Sequence, residues 1–88
     1  MPSYRLEYAV SGNTVTGSIT QSGVSDKFAM IVPVYVDFGK GWVRLGSAAM
    51  RGNTTTDLGR PELPAPPKRV AIAAYKDILA LSVENKKH

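Results

Sequence analysis

The longest apolar run, Phe28–Phe38 (FAMIVPVYVDF), alternates, with Phe28, Met30, Val32, Val34, Val36 and Phe38 on one side. A period of two, rich in β-branched and aromatic residues, predicts a half-buried strand with that set facing inward. Pro33 cannot donate to a ladder, so a bulge or bend is expected there. Upstream, Tyr4, Leu6, Tyr8 and Val10 alternate, and after Ser11–Thr14 so do Val15, Gly17 and Ile19. A turn at Gly12-Asn13, residues that accept positive φ, sets Val10 against Val15, Tyr8 against Gly17 and Leu6 against Ile19. A slip of one residue would break all three matches. The gap left by Gly17 is expected to receive the ring of Tyr8.

Downstream, Gln21–Lys27 is polar and reads as a connection. A turn at Gly39–Trp42 is expected to pair Phe38 with Val43. Leu45, Ser47 and Ala49 then lie opposite Val36, Val34 and Val32, and Asp37 lies opposite Arg44. Gly52-Asn53 repeats the turn signal, and Thr54–Leu58 reads as a short edge strand, open to weak self-association. The prolines of Arg60–Pro67 predict an extended crossover between sheets. Lys68–Tyr75 reads as a strand with Val70, Ile72 and Ala74 inward, and Asp77–Leu81 as a short strand or helical turn. About six or seven short strands with regular turns predict an all-β fold, an immunoglobulin- or fibronectin-like antiparallel β-sandwich. The reading is one domain over 1–88, with its core over about 4–81 and a polar tail at 82–88.

Composition narrows the chemistry. Eighty-eight residues suffice for one compact core. There is no cysteine, hence no disulfide and no thiolate site, and His88 is the only histidine. A Ser/His dyad within the chain is therefore excluded. The net charge of +4 comes from scattered basic residues, a pattern of solvated surface more than of a nucleic-acid footprint. No HExxH, GxxxxGK[ST] or GxSxG motif occurs, and the seven Asp and Glu residues suggest no catalytic pair. No catalytic, cofactor-binding or metal-ligating residue is assigned, and no secretory signal or membrane span is read. Asn53-Thr54-Thr55 fits a glycosylation sequon but reads better as a turn. Trp42, Tyr35, Tyr4 and Tyr75 form a candidate aromatic platform for a sugar or a partner, with Trp42 as a cover for the sandwich end weighed equally. Tyr35, Trp42 and Arg44 are the candidate docking surface.

Three stretches resemble one family. Val15–Gln21 (VTGSITQ), Phe28–Val36 (FAMIVPVYV) and Leu63–Ala80 (LPAPPKRVAIAAYKDILA) are similar to segments of the β-sandwich domain of aminopeptidase-N-like zinc metallopeptidases. The chain departs from the family at Ala73-Ala74, where Asn-Pro is common. In that family the sandwich follows the catalytic domain and packs on it, and the zinc ligands and catalytic glutamate belong to the catalytic domain. None has a counterpart here. The resemblance implies a non-catalytic accessory domain of a larger, bacterial, peptidase-like protein. Its partner would be the catalytic domain of the same polypeptide, with zinc in the parent alone. Two alternatives stand beside it: a carbohydrate- or cell-surface-binding module using Trp42 and Tyr35, and a small OB-like barrel for single-stranded nucleic acid.

Overall fold

The computed structural model describes residues 2–72 and 82–88. It holds seven strands: β1 (Ser3–Ser11), β2 (Thr14–Ser22), β3 (Ala29–Asp37), β4 (Trp42–Arg51), β5 (Thr54–Asp57), β6 (Arg69–Ile72) and β7 (Ser82–Lys87). They form two sheets, ordered β5-β2-β1-β7 and β4-β3-β6. No helix occurs among the described residues, and the chain is a β-sandwich.

The first hairpin has the expected register: Val10 faces Val15, Tyr8 faces Gly17 and Leu6 faces Ile19. Leu6, Val15 and Ile19 are fully buried. Gly17 serves a purpose other than the expected ring pocket. A Cβ there would lie 2.1 Å from the Glu7 carbonyl oxygen and 2.8 Å from Tyr8 Cα. The missing side chain admits neighbouring backbone, not a ring. The core joins both sheets: Tyr4, Leu6, Tyr8, Val15 and Ile19 meet Val32, Val34, Val36, Met50, Val70 and Ile72. The segment from β5 to β6 crosses between the two sheets as expected. It bonds the first hairpin on the way, with Leu63 N–H donating to the Asn13 carbonyl at 2.9 Å.

Three expectations are corrected. In the β3–β4 hairpin, Val36 pairs with Val43, Tyr35 with Arg44 and Asp37 with Trp42, not Phe38 with Val43. The cause is that the four-residue turn falls one residue earlier, over Phe38–Gly41, with Gly39 and Gly41 at φ 113° and 109°. The register then shifts between Val34 and Tyr35, because β4 carries Leu45 as an extra residue. The irregularity anticipated at Pro33 thus falls one residue later, with its extra residue on the partner strand. Gly46, Ala48 and Met50 consequently take the inward places assigned to Ser47 and Ala49, both of which are exposed. Second, residues 82–87 are not a polar tail. They are β7, paired parallel to β1 from Ser3↔Ser82 to Tyr8↔Lys87. Backbone pairing needs no apolar side chains, so a polar strand leaves no hydrophobic trace. Third, the parallel β7 makes the four-stranded sheet mixed, so the sandwich is not purely antiparallel. The expected inward Ala74 and the short element at Asp77–Leu81 lie outside the described residues.

Candidate functional site

The outer face of the β4-β3-β6 sheet gathers the chain's interaction chemistry. Register places Ala29, Ile31, Pro33, Tyr35 and Asp37 of β3 on it, beside Trp42, Arg44, Ser47, Ala49 and Arg51 of β4. Arg69 and Ala71 of β6 complete it. From Val32 to Asp37 every residue of β3 is buried, on both faces. The strand is central there, flanked by β4 and β6.

Asp37 organises one end. Its Oδ1 accepts the N–H groups of Gly39 at 2.6 Å and Gly41 at 3.3 Å, which fixes the turn. Its Oδ2 accepts Arg69 Nη2 at 2.6 Å and Nε at 3.1 Å. This forked, charge-assisted pairing is the strong kind. The Arg69 bonds, followed by the Gly39 N–H, hold the Asp37 carboxyl below its ordinary value of 3.8. Held in this way, the guanidinium of Arg69 lies 4.5 Å over the Trp42 ring. The cation–π contact is worth about 0.5–1 kcal/mol at an exposed site. The Lys68 side chain runs beside the same turn, 3.2 Å from where a Gly39 Cβ would be.

The three nominated residues share this face, each in a different condition. Arg44 is exposed, Trp42 half-buried and Tyr35 buried at 7%. Tyr35 is therefore not an exposed contact residue of this face. Tyr4 does not belong to it: it is 2% exposed and sits in the core. Its hydroxyl donates to Gln21 Oε1 at 2.6 Å, and Gln21 Nε2 donates to the Gly52 carbonyl at 2.8 Å. Tyr75 lies outside the described residues. Asp37 meets Trp42 across the strand pair and bonds Arg69, not the expected Arg44. Sequence reading missed Arg69 as a site residue. The inward alternation of Val70 and Ile72 turns it outward, but only the β3–β6 pairing sets it beside Asp37.

The remaining motifs resolve simply. The Asn53 amide accepts Val24 N–H at 3.1 Å and donates to the Val24 carbonyl at 3.0 Å. It clamps two loops, in keeping with the turn reading. Among the described residues, no three His, Cys, Asp or Glu side chains are grouped to hold a metal, and no helix is long and apolar enough to cross a membrane. No family model, curated protein or solved structure matches this chain. The aminopeptidase resemblance therefore stands on the quoted stretches alone.

Proposed function

We propose that the chain is a non-catalytic β-sandwich module that docks on another protein through the outer face of its β4-β3-β6 sheet. The single observation behind this reading is the ordered Asp37–Arg69–Trp42 stack beside exposed Arg44. Trp and Arg dominate binding energy at protein interfaces. Here Arg69 is already held by two hydrogen bonds, so less side-chain freedom is lost on association. Among the described outward positions Asp37 is the one acid, and Arg69 neutralises it. The face is thus net cationic and suits an acidic partner surface. The sequence resemblance supplies the partner's identity: the catalytic domain of a larger aminopeptidase-N-like zinc peptidase, in which the metal belongs to the parent.

The rival readings gain less support. A sugar stacking on Trp42 would compete with Arg69 for the ring face it covers. The OB-like reading required a barrel and several exposed aromatics, whereas the fold is a two-sheet sandwich and Tyr4, Tyr8 and Tyr35 are buried.

The docking test is calorimetric titration of the 88-residue chain into an aminopeptidase-N-like catalytic domain lacking its own sandwich. Binding that Trp42→Ala and Arg69→Glu each weaken at least about tenfold is expected. No binding, or equal binding by all three proteins, would overturn the reading. The peptidase parentage is tested separately by the reading frame upstream of Met1. An HExxH with a second glutamate downstream is expected there. The purified chain itself should not hydrolyse an aminopeptidase substrate, with or without zinc.

A further inference from the structure

The sheet edges differ in how they are protected against pairing. β5 is four residues long and ends in Asp57. β7 carries Glu84, Lys86 and Lys87. β4 is ten residues long and lies at the edge of its sheet, with β3 as its strand partner among the described residues. Its stretch from Leu45 to Met50 holds no charge. Short length, charge and covering elements are the usual protections of an edge. Among the described residues the middle of β4 has none of these; its one such feature is the bulge at Leu45.

Apolar surface flanks this edge on both sides. Toward the core, a groove of about 400 Å³ runs between β4 and the other sheet, lined by Val34, Leu45, Ala48, Leu58 and Pro61, with Thr56 and Asp57 also bordering it. At the far end a second depression, also of about 400 Å³, is bordered by Ile31, Ala49 and Met50. Ile31 is 62% exposed and Val43 53%. The charges of β4 are Arg44 and Arg51, both outward and both positive.

We propose that the β4 edge is a strand-addition site for an extended peptide segment with apolar side chains at alternate positions and an acidic residue at each end. Main-chain bonding to an open edge gives affinity, and alternate side-chain pockets give selectivity. Inward side chains of the added strand enter the groove beside Gly46 and Ala48. Outward ones meet Arg44 and Arg51. These arginines also argue against a second copy as occupant: two paired β4 strands would bring four arginines together with no acid on β4 to meet them. The site shares Arg44 and Arg51 with the docking face but not Trp42 and Arg69, and its main-chain pairing stands without that reading.

The test uses the full 88-residue chain and the capped peptide Glu-Val-Thr-Val-Thr-Val-Glu, with a control carrying Lys at both ends. The readout is backbone amide hydrogen exchange. The acidic peptide is expected to slow exchange at amides of 46–50, and the Lys-ended peptide to leave it unchanged. Arg51→Glu, at an exposed position, should weaken the acidic peptide about five- to tenfold and strengthen the control. Ala49→Glu, also exposed, should weaken the acidic peptide too. No slowing, or equal slowing by both peptides, would overturn the proposal. Protection without peptide that rises with protein concentration would assign the edge to a second copy and overturn it as well.

Discussion

Gln21 is the chain's most consequential buried polar residue. Fully buried, it accepts from Tyr4 and donates to the Gly52 carbonyl, joining β1, β2 and the β4–β5 turn. Burial raises the Tyr4 pKa, so the hydroxyl stays a donor. Gln21→Leu orphans that hydroxyl and the Gly52 carbonyl together. It should cost about 1–3 kcal/mol in urea unfolding. Tyr4→Phe should cost less, about 1–2 kcal/mol, since one acceptor loses one donor. Asp37 gives a pH signature. Its folded pKa lies below 3.8, so its contribution is complete above that value and is lost as pH falls through the folded pKa. Asp37→Asn should therefore destabilise the protein at neutral pH and approach the parent's stability in acid. Unfolding midpoints measured from pH 7 down to about pH 2 check this.

At the scale of elements, sequence legibility tracked locality. The β1–β2 hairpin was readable to the residue, because a two-residue turn and three apolar matches allow one register. The β3–β4 hairpin was not. Where its turn falls depends on the Asp37 carboxylate bonding Gly39 and Gly41, and its bulge on Leu45 having no opposite residue. β7 was missed outright, since a polar strand is recognised only by its neighbour. It is also tied sideways: Asn85 Oδ1 accepts Ile72 N–H at 3.0 Å, and His88 N–H donates to the Tyr8 carbonyl at 2.7 Å. Deleting residues 82–88 should lower stability by at least about 2 kcal/mol and uncover the β1 edge. Urea titration and sedimentation of the truncated chain measure both effects. A dispensable tail would change neither.

For the molecule as a whole, the docking face combines a fixed aromatic–cation stack with Arg44 and Arg51. Exposed charge and desolvated packing respond differently to salt. Association with the proposed acidic catalytic-domain partner should slow several-fold between about 50 and 300 mM salt, with dissociation little changed. Trp42→Ala should instead act mainly on dissociation. Stopped-flow mixing separates the two rates.

The sequence by itself determined the fold class, the first hairpin and most of the inward set, because these follow from alternation and turn chemistry within short spans. It also placed Tyr35, Trp42 and Arg44 on one outer face, since the two-residue error in register near the turn preserved side-chain parity. Only the tertiary structure decided that Asp37 belongs to Arg69, that Tyr4 belongs to the core, and that β7 closes the four-stranded sheet beside β1. Each of those depends on which strand lies beside which across more than ten residues of chain. That choice is set by long-range packing and backbone pairing, and it leaves no period in the sequence.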